Sequence, residues 1–190
     1  AALVRVEQEA QKITDTEAFA LTTSRGSAAI TAVEETLGKL RDTIAARVSA
    51  GDNSALPAYQ LASDLFLEAS DVFRQHRNIL LASSNPAKQD EWHGDYQKVI
   101  TELQPTVDRL ARLLGPADQA AMNQLRANID ELIAAMNAGN ALALQRSDLM
   151  TETINNTEAA PLRQEIAGLV DAIVSRNDAL LDQAVAEATA

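Results

Sequence analysis

From Ile30 onward the apolar positions keep a strict 3-4 spacing through Val33, Leu37, Leu40, Ile44 and Val48. That spacing lays one stripe along one side of a helix and matches coiled-coil-like packing. Upstream, residues 2–22 read as a first helix. Leu3, Val6, Ala10, Ile13, Ala20 and Leu21 form its buried side, and Glu7, Glu9, Asp15 and Glu17 its solvated one. Between the two stripes lies Thr22-Thr-Ser-Arg-Gly-Ser27. Hydroxyls occupy stripe positions there, and Gly26 weakens a helix by about 1 kcal/mol relative to Ala. Either the chain turns here, or one long helix runs on through a polar waist.

The remaining pattern reads as further helices. Gly51 suits the residue after a helix end, and Ser54 before Pro57 suits a new start. A helix over 55–83 carries Leu61, Leu65, Phe66, Ala69, Val72, Phe73, His76 and Leu80 inward. Ser83-Ser-Asn-Pro86 breaks it. A helix over 87–114 follows, kinked at Pro105, with Trp92, Tyr96, Val99, Ile100, Leu103, Val107, Leu110 and Leu114 inward. After the Gly115-Pro116 turn, residues 118–138 repeat the pattern with Met122, Leu125, Ile129, Leu132, Ile133 and Met136. Ala138-Gly-Asn140 reads as the end of that helix. A last pattern runs from Ala141 to the final residue, roughly 70 Å if straight. It carries Leu142, Leu149, Met150 and Ile154, then Leu162, Ile166, Leu169, Val170, Ile173, Leu180 and Val185. The stretch from Ile154 to Ile166 interrupts it. Thr157 can cap a restarted helix there, and Pro161 fits a first turn. A helix that stops and restarts exposes N–H groups and a positive dipole end, which suits a small anion.

These elements predict an all-α fold, an elongated antiparallel helical bundle. Mixed long and short helices suggest two stacked four-helix modules sharing the long ones, within a single domain over 1–190 that shows no boundary in composition. Few aromatics (3%) beside 46% apolar residues favour thin, closely packed helices. A formal charge of −11 repels nucleic acid and anionic membrane surfaces, and excludes DNA or RNA binding as a main activity. The absence of cysteine removes thiol chemistry and disulfides. Both ends fall in mid-helix, as they would in a fragment trimmed from a longer membrane receptor, or in a chain relieved of frayed tails.

Catalytic chemistry has little to build on. The histidines are His76 and His93, without the Glu-x-x-His pattern of di-iron bundles, a phosphate loop or a nucleophile elbow. No catalytic residue, metal ligand or cofactor is expected, and the chain reads as a non-enzyme. His76 lies on an apolar stripe, as a hydrogen-bonded core residue or as a pocket-lining, pH-sensitive one. Arg74 and Arg77 flank it on one helix face, and arginine forks match carboxylates, though surface acids could equally occupy them. Arg25 sits among Thr22, Thr23, Ser24 and Ser27, as a cavity cation or in a solvated turn. Arg25 and Arg163 lie at similar helical distances from the two chain ends, roughly 35–40 Å. Trp92, His93 and Tyr96 either line a second pocket or seal the end of a bundle.

The Thr23-Ser-Arg-Gly26 stretch, Phe73-Arg-Gln-His-Arg-Asn78, the spacer Ala135-Met-Asn-Ala-Gly139 and Asn156-Thr157 before Pro161 together resemble the periplasmic ligand-binding domain of a bacterial chemotaxis receptor, of the helical bimodular or four-helix-bundle type. The chain is short for the former and long for the latter. The resemblance implies a homodimeric periplasmic domain of an inner-membrane, membrane-spanning protein. It implies small organic acids bound between helices by arginines, hydroxyls and amides, and a conformational signal passed to the membrane. On this sequence it nominates Arg25, Arg74, Arg77, Asn156, Thr157 and Arg163 as ligand-binding residues. Two other readings share the helical architecture. One is a sensor-kinase outer domain that docks a periplasmic binding protein, and the other is a structural or adaptor bundle that offers a helix face.

Overall fold

The computed structural model describes residues 2–12 and 14–189, without the side chains of residues 2, 3, 186, 188 and 189. The described chain is all-α. It divides into two compact units, Thr14–Arg146 and a second made of Ala1–Ile13 with Ser147–Ala190.

The Thr14–Arg146 unit is an antiparallel four-helix bundle. Its first arm is one continuous helical run: α2 (Thr14–Leu21), a π-helical turn (Thr22–Gly26) and α3 (Ser27–Ser49). The chain therefore does not turn at the polar waist. Ser27 N–H reaches back five residues to the Thr22 carbonyl, which widens the helix by one residue and keeps it going. The other arms are α4 (Leu56–Leu81), α5 (Pro86–Leu113) and α6 (Gln119–Ala143). The breaks follow local chemistry. Gly51 takes φ +97°, the left-handed region after a helix end. The Asn85 side chain accepts from Lys88 N–H at 3.1 Å to start α5, with Pro86 in its first turn.

Antiparallel pairing shows in the ties. Between α3 and α6, Asn128 donates to Ala32 O and Thr36 Oγ1, while Arg47 forks onto Asp118 at the far end. Between α5 and α6, Tyr96 Oη donates to Asn137 Oδ1 at 2.8 Å, Gln104 bonds Asp130 and Arg126 bonds Asp108. The core between the arms is the expected set: Ile30, Val33, Leu37, Leu40 and Ile44 face Leu65, Val72, Leu103, Val107, Leu110, Leu125, Ile129 and Leu132. Val48, Leu61, Phe66, Trp92, Val99 and Ile133 are only half-buried. The aromatic patch packs rather than opens a pocket. Tyr96 is fully buried, with His93 stacked on it at 6.3 Å, and Lys88 lies over the Trp92 ring.

Two expectations about helix boundaries are corrected. Ala138-Gly-Asn140 does not end a helix. α6 runs on to Ala143 and stops where Arg146 takes φ 53°. Gly139 and Asn140 are buried there, because the stripe Leu132, Met136, Gly139, Ala143 continues inward through them. The first expected helix also breaks at Gln11–Lys12, so the phase restarts at Thr14. Thr14, Ala18 and Thr22 become the buried side, while Ala10 and Ala20 are exposed. The Leu3 side chain and Ile13 lie outside the described residues.

In the second unit, α1 (Ala2–Ala10) packs on α7 (Ser147–Ile154) and on a second π-helical turn, Asn155–Ala159. Arg5 Nη1 donates to both oxygens of Glu158, at 2.8 and 2.9 Å. Ile154 and Ala159 are buried. The turn leads directly into α8 (Ala160–Thr189), so the final helix widens where a stop and restart was expected. Pro161 cannot donate to the carbonyl four residues back, and a π turn just before it accommodates that loss. Ala160 N–H is bonded to Asn155 O, and no free first turn is offered to an anion. Beyond Ala160 the expected inward stripe is not buried. From Pro161 to Val185 every described side chain is exposed, including Ile166, Leu169, Ile173 and Leu180 at 54–60%.

Candidate functional site

Three stripe positions that would ordinarily hold hydrocarbon carry hydrogen-bonding groups, and the bundle brings them to one level. Thr22 in the π turn, His76 on α4 and Asn140 on α6 are all buried. His76 Nε2 lies 2.6 Å from Thr22 Oγ1, and Nδ1 lies 2.7 Å from Asn140 Oδ1. His76 is thus a hydrogen-bonded core residue. A neutral ring donates from Nδ1 to Asn140 and accepts the Thr22 hydroxyl proton at Nε2. Burial pushes the imidazole below its ordinary pKa, and the bond to Asn140 opposes this in part. Gly139 makes the approach possible, since a Cβ there would stand 2.7 Å from His76 Cε1.

This layer is not optimised for stability. Asn140 Nδ2 and Gln75 Oε1 are buried without a partner among the described residues. Groups in that state cost about 1–3 kcal/mol each. By contrast Gln89, one turn beyond, is fully used. It donates to Ile79 O and Ala143 O and accepts from Arg146 Nε at 2.7 Å, joining three helices.

Outside the layer, the π turn and α4 border a surface groove of about 290 Å³. Thr22, Thr23 and Ser27 form one wall, and Phe73, Arg77 and Leu81 the other, with Phe19 and Leu80 alongside. Phe19 is 59% exposed and Leu81 74%, high for large apolar side chains. Arg77 is exposed and makes no hydrogen bond or ion pair to any described residue. The groove continues past Phe73 toward Arg74 and Asn78, and past Phe19 toward Asp15.

The six nominated residues fare differently. Arg77 lines the groove, and Arg74 lines its extension while forking onto Asp71, with Nε at 2.7 Å from Oδ1. Arg25 points to the opposite neighbour, α6. It forks onto Glu131 at 2.5 and 2.9 Å, which raises its pKa and lowers that of the carboxyl. Asn156, Thr157 and Arg163 belong to the other unit and are exposed. Arg163 donates to Asn155 Oδ1 at 2.8 Å, and Thr157 returns its hydroxyl proton to Thr153 O. The structure therefore gathers Arg77 with Thr22, Thr23 and Ser27, three of the hydroxyl residues that surrounded Arg25 in sequence, and leaves Arg25 itself outside. Phe19, Thr22, Thr23 and Ser27 were not nominated. Their signal was the run of hydroxyls on a stripe.

Among the described residues no group of His, Asp and Glu is arranged to hold a metal ion, and no helix is long and apolar enough to cross a membrane. Comparison with known proteins gives no match to a family model, a curated protein or a solved structure.

Proposed function

We propose that this chain is the extracytoplasmic sensor domain of a chemoreceptor, a non-enzymatic module that binds a small organic acid and passes a conformational signal toward a membrane. The observation that carries the reading is Arg77, an unpaired guanidinium on a hydroxyl- and aromatic-walled groove beside a π turn. Guanidinium forks bind carboxylates bidentately. Thr22 belongs both to that groove and to the buried layer, so an acid on the groove would favour one of two hydrogen-bond arrangements around His76. The π turn is the element able to slide, since moving its extra residue along the helix changes the phase of everything beyond it. The ligand reaches the domain from the periplasm, and the parent protein spans the inner membrane.

Calorimetry with a panel of organic acids tests this. At least one acid binds, and Arg77→Ala weakens it about tenfold or more while leaving the melting temperature of the free domain unchanged. Binding that survives Arg77→Ala removes the groove from the site.

The homodimer finds its support in α8. A continuous face of exposed Leu, Ile and Val on a 30-residue helix requires a cover in water. Ile166, Val170, Ile173, Asn177, Leu180 and Ala184 keep coiled-coil spacing at its centre, with a polar Asn at one seam position. Sedimentation is expected to give a dimer that Ile173→Asp converts to monomer. If the wild type stays monomeric, this face serves a different protein, and the adaptor reading gains.

A further inference from the structure

Resting on the reading above, we infer that the groove takes a monocarboxylate with an apolar, preferably aromatic, body, and discriminates against the short dicarboxylic acids. The argument is a proton count. The groove offers one unpaired cation, Arg77. The hydroxyls opposite it have already committed their protons. Thr23 Oγ1 lies 3.1 Å from both Phe19 O and Ala20 O, Ser27 Oγ 3.2 Å from Thr22 O, and the Thr22 proton is taken by His76 Nε2 at 2.6 Å. Helical Ser and Thr return their proton to the preceding turn in this way and turn lone pairs outward. A second carboxylate placed on that wall would meet acceptors only, and would surrender its hydration for nothing. Arg74 cannot readily serve it, because Asp71 already holds that guanidinium.

The other surfaces of the groove suit hydrocarbon. Phe19, Phe73, Leu80 and Leu81 flank the cation, and a ring laid there removes apolar area from water on both partners. The charge of the whole chain acts in the same direction, since a domain of −11 repels a dianion twice as strongly as a monoanion. A ligand hydroxyl or amide N–H facing Thr23 and Ser27 would add a bond, because those oxygens can accept.

The test compares phenylacetate, 4-hydroxyphenylacetate and succinate by calorimetry on the wild-type domain, on Arg77→Ala and on Phe19→Ser. Phenylacetate is expected to bind at least about tenfold tighter than succinate. The hydroxylated acid should bind at least as well as phenylacetate. Arg77→Ala should lose both aromatic acids, and Phe19→Ser should weaken them several-fold without a matching effect on succinate. If succinate binds more tightly and still depends on Arg77, the selectivity inference is wrong while the acid-sensor reading stands. If no acid of the wider panel binds, or if binding ignores Arg77, the groove reading falls and the inference with it.

Discussion

Gly139→Ala is expected to destabilise the four-helix unit by about 2 kcal/mol or more, although alanine is the better helix former by about 1 kcal/mol. The added Cβ would stand 2.7 Å from His76 Cε1 and 3.3 Å from Nε2. The ring cannot swing aside, because Thr22 and Asn140 hold it at both nitrogens. Relief requires parting α4 from α6 or breaking a buried hydrogen bond, each worth on the order of 1–3 kcal/mol. Gly26→Ala is the control. Its Cβ would come within 2.6 Å of Met136 Cε, the free end of a flexible side chain, with the next atom at 3.7 Å. That methyl can rotate away, so the second variant should stay within about 1 kcal/mol of wild type. Urea unfolding of both decides the matter. Equal stability for the two alanine variants would show that the His76 layer is looser than its distances.

The same glycine shows how far the sequence could be read. The stripes of α3, α4, α5 and the first five turns of α6 were legible because apolar residues, leucine, isoleucine and valine with alanine and methionine among them, recur on each at helical spacing and polar residues interrupt them only singly or in pairs. Gly139-Asn140 was misread because the pair is also a helix-ending signature, and only the phase of Met136 and Ala143 argued otherwise. The π turns were not legible. An insertion of one residue leaves the composition unchanged and merely shifts a stripe, as Thr22 to Ala29 and Ile30 shows. Thr22, within its run of hydroxyls, and His76 stood out as polar stripe residues, and Asn140 was visible only as part of the expected helix end. That they share a level depends on loop lengths and on the π turn, neither of which periodicity fixes. Arg25 misled for a related reason. Its neighbours in sequence face α4, while one residue of helical rotation per 100° turns its own side chain toward Glu131 on α6.

The groove and the buried layer meet at Thr22, and this has a consequence for any signal. A ligand that competes for the Thr22 oxygen would alter the partner of His76 Nε2 without touching the ring. The unpartnered Asn140 Nδ2 and Gln75 Oε1 are spare groups that a rearranged layer could pair, which would offset part of the cost of breaking a bond to His76. Gln89, saturated on three helices, supplies the fixed point against which such a change would act.

Acid should loosen the bundle through His76. Burial holds its folded-state pKa below the unfolded value, so below that unfolded value, about 6.5, the unfolded chain binds more protons than the folded one. The contribution is fully present above the unfolded pKa and is lost as pH falls through the folded one. Within that window the slope is about 1.4 kcal/mol per pH unit. His76→Gln removes the titration while keeping a donor and an acceptor on the side chain, so its stability should be flatter between pH 7 and pH 5 even if it is lower throughout. Asp118, held below the usual carboxylate range by its hydrogen bond to Arg47, acts in a separate window below about pH 4 and affects both proteins alike. Among the described residues no carboxylate bonds to the imidazole, so desolvation has no opposing ion pair to offset it. Melting curves across that interval, taken with the imidazole proton shifts of His76, measure the effect directly. Parallel curves for wild type and His76→Gln would mean that the ring titrates as it does in the unfolded chain, and that the layer admits water.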